Sequence, residues 1–122
     1  MGHVRVAIRI AHPYRRDEAA DVTDALVDTG ATVTTVPRRI AEQIGLDIVG
    51  QNAVRTATGV VTVDRSLAWI EIQGKDGFAQ VGVSDTYPDV LVGVTTLGVL
   101  GFAVDPVNER LVDSELLLLT AV

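Results

Sequence analysis

Cysteine is absent from this chain, which excludes disulfides and thiolate metal sites. Histidine occurs only at His3 and His12. Nine residues apart, with no third nitrogen or sulfur ligand to join them, they fall short of the ligand set a zinc ion needs. No metal and no cofactor is therefore expected, and His12-Pro13 reads as a strand end. Positive charge is also in deficit: the net charge is −6 and the pI about 4.7. That excludes the phosphate-neutralising surface of a nucleic-acid binder and the polybasic surface that adsorbs to anionic membranes. Long apolar runs are missing. Leu116–Leu119 is the longest near the end, far below the roughly 20 residues of a membrane helix. The N-terminal residues lack the apolar core of a signal peptide, and Val6 stands where a myristoylation motif wants Ser or Thr. A cytoplasmic location is the expectation. Ser66, Ser84 and Ser114 have no G-x-S-x-G context, and Gly93 and Gly98 do not form a G-x-G-x-x-G fingerprint.

What is present is apolar and mostly strand-like. Hydrophobic residues make up 48% of the 122, enough for one modest core, and 1–122 is read as a single domain. Val4, Val6, Ile8 and Ile10 alternate with Arg5, Ala7 and Arg9, giving a strand with one apolar face. Residues 14–21 read as a charged connection, and Val22–Val27 as a strand ending at Asp28. A hairpin begins near Val54, turns at Thr58-Gly59 and returns through Val60 to Ile72, with Trp69 as core or half-buried packing. Gly74-Lys75-Asp76-Gly77 is a turn signal, followed by a strand over 78–83. A further hairpin spans Phe102 to Val112, turning at Asp105-Pro106-Val107-Asn108, and Leu116 to Val122 is expected to form a last strand. Two short helices fit, at Pro37–Gly45 and Thr95–Leu100. Pro37 opens the first, Gly45 closes it at C′, and Ile40 and Ile44 share one face. The pattern is that of an all-β closed barrel or sandwich.

One segment points to chemistry. In Ala25-Leu26-Val27-Asp28-Thr29-Gly30-Ala31-Thr32 an apolar strand ends in an acid, a hydroxyl residue and a glycine. A carboxylate at the end of a buried strand is costly unless it is hydrogen-bonded or functional. A strand followed by an Asx-type turn is the ordinary reading of such a stretch. The octet also resembles the catalytic loop of aspartic proteases: two apolar residues, then Asp-Thr/Ser-Gly-Ala/Ser. In order along the chain come Thr56-Ala57-Thr58-Gly59-Val60, similar to the glycine-tipped flap of that family, and Val90-Leu91-Val92-Gly93, similar to its second apolar-apolar-Gly element, followed by a helix. The resemblance runs from about Val22 to Val112. It departs at Val94 and Thr95, where many relatives carry an acid one or two residues after the second glycine.

The resemblance implies a single-lobe, retropepsin-like acid-protease barrel and an aspartic endopeptidase that needs neither metal nor covalent intermediate. Its chemistry wants two carboxylates, one ionised to activate water and one protonated to hydrogen-bond the scissile carbonyl. Sharing one proton between carboxylates about 3 Å apart is the established behaviour of the aspartic-protease dyad. Of the eleven aspartates only Asp28 lies in Asp-Thr/Ser-Gly; Asp85-Thr86 runs into Tyr87, and Asp113-Ser114 into Glu115. The second carboxylate would then come from Asp28 of another copy across a two-fold axis, implying a homodimer with Glu115–Val122 as a candidate dimer strand. Pairing of that segment inside its own domain is the equal alternative. The resemblance makes Asp28, Thr29 and Gly30 the catalytic loop. Ala31 becomes the small residue beside substrate, Thr58 and Gly59 the flap tip over it, and a peptide or protein the substrate. A non-catalytic peptide-binding or dimerisation module on the same fold, and an unrelated small β-barrel, are the competing readings.

Overall fold

The computed structural model describes residues 4–115. His3 and the expected strand at Leu116–Val122 lie outside them. The long first strand β1 (Val4–His12) follows its alternating pattern, with Val4, Val6, Ile8 and Ile10 buried and Arg5, Ala7 and Arg9 exposed. It turns at Pro13-Tyr14 into β2 (Arg15–Val27), pairing from His12↔Arg15 to Val4↔Val27. Residues 14–21 are thus hairpin and not a loose connection. Arg15, Arg16, Asp17 and Glu18 are all exposed, although Ala11, His12 and Pro13 at the end of β1 are buried. No inward apolar row existed there for a sequence reading to find. Cross-strand charge pairs supply the pattern instead, with Arg9 Nε 2.8 Å from Asp21.

β3 (Thr34–Pro37) leads into α1 (Arg38–Gln43). Pro37 is its N-cap, one position earlier than a first-turn proline, with the extended ψ of 151°. Gly45 sits at C′ with φ 68°, the left-handed conformation that ends helices. β4 (Gly50–Thr56) and β5 (Gly59–Ile72) form a long hairpin, and β6 (Lys75–Ser84) follows. The turn before β6 is Gln73-Gly74, both at positive φ (51° and 83°). Lys75, Asp76 and Gly77 belong to the strand, paired with Ile72, Glu71 and Ile70. Two positive-φ residues match the twist of antiparallel strands better than a longer loop does.

β7 (Leu91–Val92), α2 (Val94–Leu100), β8 (Phe102–Asp105) and β9 (Arg110–Asp113) complete the described chain. The seven-stranded sheet has the order β1-β2-β7-β3-β6-β5-β4, and β1 also pairs with β5. That second pairing closes β1, β2, β7, β3, β6 and β5 into a barrel, leaving β4 outside as part of a projecting hairpin. The pairings β2–β7 and β3–β6 are parallel; β8–β9 forms a separate ribbon. Ile10, Ile70, Ile72, Val36, Val81, Val83, Val90 and Val92 are essentially inaccessible and fill the interior. Trp69 is buried at 8% exposure, donates its Nε1–H to Asp76 at 2.9 Å, and carries the Arg16 guanidinium over its ring. Lys75 ties the ribbon to the barrel, donating to the Gly101 carbonyl at 3.0 Å and pairing with Asp113 at 2.8 Å.

Buried His12 is structural. Its Nδ1 accepts the Tyr14 N–H at 3.1 Å, so Nε2 carries the proton, which it directs to Asp47 at 2.9 Å. Among the described residues no group of three or more His, Cys, Asp or Glu could hold a metal ion. No helix there is long and apolar enough to cross a membrane.

Candidate active site

The barrel places Asp28 at the point where β2 stops. The parallel β2–β7 ladder runs through Leu26 N–H to Val90 O and Asp28 N–H to Val92 O, both 3.0 Å. The chain then reverses, closed by the Ala31 N–H on the Asp28 carbonyl at 3.1 Å. Within that turn the Gly30 N–H donates to Asp28 Oδ1 at 2.9 Å. Gly30 has no left-handed φ. What glycine supplies here is space, since a Cβ would stand 3.2 Å from Asp28 Oδ1. Among the described residues the half-buried Asp28 carboxylate accepts this one bond and enters no ion pair. The strand thus ends in an Asx-type turn, with the Asp28 carboxylate folded back on the Gly30 N–H. Thr29 and Gly30 are exposed beside the acid, and Ala31 is half-buried.

Beneath the turn, the 90–96 segment is stitched to the loop. Val94 N–H donates to Ala31 O at 2.9 Å and Thr95 N–H to Thr32 O at 3.0 Å. These loop carbonyls satisfy two of the N–H groups that the start of α2 leaves without partners, and no side chain caps that helix. Thr95 Oγ1 also donates to Thr32 O at 2.8 Å. At Val94 and Thr95, where the resemblance would have an acid, this chain makes neutral bonds to the loop backbone. Gly93 is locked in place: a Cβ there would collide with the Val33 carbonyl carbon, lie 2.5 Å from Val33 O and 2.9 Å from Thr34 N.

Two residues that the sequence did not single out complete the support. Thr34 and Thr96 are fully buried, their hydroxyls 2.6 Å apart, and Thr34 Oγ1 accepts the Gly93 N–H at 3.0 Å. Nothing in a chain of twelve threonines marks a pair 62 positions apart. Thr34→Val removes the acceptor for Gly93 and the partner of Thr96 while keeping the shape. Leaving buried polar groups unpaired costs about 1–3 kcal/mol. Urea denaturation should show a loss of that size for Thr34→Val and a smaller one for Thr34→Ser.

The hairpin of β4 and β5 ends in the tight turn Thr56-Ala57-Thr58-Gly59. Thr56 Oγ1 accepts the Thr58 N–H at 3.3 Å and donates to Gly59 O at 3.0 Å. Gly59 has φ 138° with nothing within 4 Å of a Cβ position. Here, unlike at Gly30, conformation is what requires glycine. Thr58 and Gly59 are both exposed.

At the base of that hairpin Arg38 lies between two carboxylates. Its Nε and Nη2 contact Asp85 Oδ1 and Oδ2 at 2.8 and 2.9 Å, and Nη2 contacts Asp64 Oδ2 at 2.9 Å. Asp64 is held below the usual carboxylate range by the Gln51 amide and then by Arg38, Asp85 by Arg38, and the guanidinium itself is raised. Folded values below the unfolded ones mean that the contribution is complete above the ordinary carboxylate pKa of about 3.9. It is lost as pH falls through the depressed values. Wild type and Arg38→Met should therefore differ in Tm at neutral pH, modestly because water reaches all three groups, and converge as pH falls below the depressed carboxylate values.

Residues 20–98, well over half of the chain, match the family described as "gag-polyprotein putative aspartyl protease". The chain belongs to this family of aspartic proteases. It is an aspartic-type endopeptidase by that membership. No curated protein matches the chain. Among solved structures, EIAV protease complexed with the inhibitor HBY-793 is similar over 96% of this chain and 94% of its own, at 18% identity and a TM-score of 0.64. The foamy viral protease-reverse transcriptase, in complex with an RNA/DNA hybrid, is similar over 79% of this chain at 14% identity and a TM-score of 0.57. This chain corresponds to only 12% of that larger protein. At such identities the likeness shows a common fold, the single-lobe acid-protease barrel expected from the sequence.

Proposed function

We propose that this protease cuts extended polypeptides by direct attack of water, activated by a dyad made of Asp28 from two copies of the chain. The observation that carries this reading is the Asp28 turn itself. A half-buried carboxylate, oriented by the Gly30 N–H and free of any cation among the described residues, sits on a platform of bonds to segment 90–96. Such bracing suits a group that must hold water in one geometry. A single chain supplies one such turn, so a partner must supply the second.

In the dyad, one carboxylate takes a proton from water while the other, protonated, polarises the scissile carbonyl. The roles then exchange as the proton passes to the leaving amine. Thr29, exposed beside the acid, would hydrogen-bond across the two-fold axis, and Gly30 would keep the carboxylate oriented. Ala31 would leave room for water and substrate. The Thr58-Gly59 tip would close over a peptide and exclude bulk water, its open surroundings admitting a backbone close to Gly59. An extended peptide pairs naturally with such strand edges, alternate side chains entering pockets.

The test is activity per chain across dilution, paired with sedimentation. Activity should fall as the dimer dissociates, and the pH–rate profile should be bell-shaped. Full activity in a solution that sediments as monomer would overturn the two-copy dyad.

A further inference from the structure

The strand ladder shows where the flap-like hairpin leaves the barrel. β5 pairs with β6 from Ile72↔Lys75 as far as Asp64↔Val83. Beyond Asp64, residues 59–63 pair only with β4, from Val63↔Asn52 to Gly59↔Thr56. Asp64 is thus the last residue of the hairpin's inner strand held by the barrel, and Gln51 is its partner on β4. Distal to them no residue pairs with a barrel strand, and apart from Val63, whose side chain packs on Gly82 of β6, most of the segment is exposed.

Arg38 reaches this point from the end of β3. It follows directly on Pro37, the end of β3, and β3 begins at Thr34 under the Asp28 turn. Pro37 pairs with Ser84, so the bidentate bond to Asp85 fixes the guanidinium against the end of β6. The remaining reach of Nη2 goes to Asp64 Oδ2, while Gln51 Nε2 donates to Asp64 Oδ1 at 3.1 Å. Both strands of the hairpin therefore converge on one carboxylate, and that carboxylate on one guanidinium. A planar fork can serve two carboxylates at once in a way an ammonium cannot. Arg65, also at the base, pairs with Gly82 of β6 through its backbone, but its side chain bonds Asn52 at 3.2 Å and packs on Gly50, so its guanidinium stays within the hairpin.

We propose that Arg38 is a positioning residue of the protease, one that sets the angle of the 50–64 hairpin over the Asp28 turn through Asp64 while braced on Asp85. The inference rests on the peptidase reading for its effect on cleavage, but not for the anchoring itself. It requires a local effect, because an ion pair that water still reaches contributes little to global stability.

The experiment measures amide hydrogen exchange over the whole chain, and KM and kcat on an extended peptide, for wild type, Arg38→Met, Arg38→Lys, Asp64→Asn and Asp85→Asn. Expected is faster exchange in residues 51–63 of Arg38→Met, with β1 and β2 unchanged. KM should rise about two- to fivefold, the size expected of an exposed pair, with kcat moving less. Asp64→Asn should act in the same direction, and Arg38→Lys should recover part of the effect. Unchanged exchange in the hairpin, exchange raised equally throughout the chain, or faster hairpin exchange with unchanged KM would each overturn the proposal. If wild type cuts no peptide, the peptidase reading fails separately, and the exchange pattern alone still shows whether Arg38 anchors the hairpin.

Discussion

Asp28→Asn is expected to lower peptide cleavage by about four orders of magnitude, the upper end for removing a general acid–base group, while leaving the fold in place. The two halves of this outcome have separate causes. The Gly30 N–H needs an acceptor at Oδ1, and an asparagine carbonyl oxygen supplies one in the same position. The bonds that tie the turn to β7 and α2 are made by backbone atoms of residues 26–32 and 90–95, which the substitution does not touch. What is lost is the ability to accept a proton. Mass spectrometry of new peptide termini from a diverse library, with wild type and variant side by side at several pH values, reads the effect. Tm and near-UV circular dichroism should be nearly unchanged. Cleavage that survives in Asp28→Asn would remove this residue from the mechanism. Cleavage absent from both proteins, in folded dimer, would favour a peptide-binding or dimerisation module on the same barrel.

Gly93→Ala should be the most damaging single methyl group in the chain. Its Cβ would meet the Val33 carbonyl and the Thr34 amide, which are backbone atoms that cannot swing aside. Either β7 and α2 move away from the catalytic turn, or the turn moves. The first breaks the Val94–Ala31 and Thr95–Thr32 bonds, and the Gly93 bond to the buried Thr34 hydroxyl goes with them. Overpacking of this kind costs about 1–3 kcal/mol or more, against a total stability of about 5–15 kcal/mol for a typical domain. Activity should fall even in protein that still folds, because a displacement of about 1 Å at a catalytic group costs on the order of a hundredfold. Gly98→Ala is the control: it lies exposed in α2 with nothing within 4 Å of its Cβ position, and helix propensity favours alanine there. Equal behaviour of the two variants in chemical denaturation would refute the close-approach argument.

How much of this was legible beforehand depended on whether a feature was local. The Asp28 turn was, because an acid, a small hydroxyl residue and a glycine at the end of an apolar strand state their geometry in four residues. The helix over 38–43 was legible from Pro37 and Gly45, and the projecting hairpin from Gly59. The 14–21 stretch reads as a connection because strand periodicity reports burial, and residues 14–18 are exposed one after another. The turn at Gln73-Gly74 was placed too late, because the glycine at 77 belongs to the strand: a Cβ there would stand 3.1 Å from Val99 and 3.2 Å from Leu100, so α2 packs where a side chain would be. The Thr34–Thr96 pair and the Arg38–Asp64–Asp85 cluster were beyond reach, since each joins residues that only the closed barrel brings together.

In the proposed dyad two copies of Asp28 make one site, and mixing subunits shows whether both are needed. Wild type is equilibrated with increasing Asp28→Asn chains at constant total concentration, and initial cleavage rates are measured. If both aspartates are required, activity falls with the square of the wild-type fraction, so an equal mixture retains about a quarter of the rate. A rate that falls only in proportion to the wild-type fraction, with exchange of subunits demonstrated, would mean that one Asp28 suffices and would contradict the account.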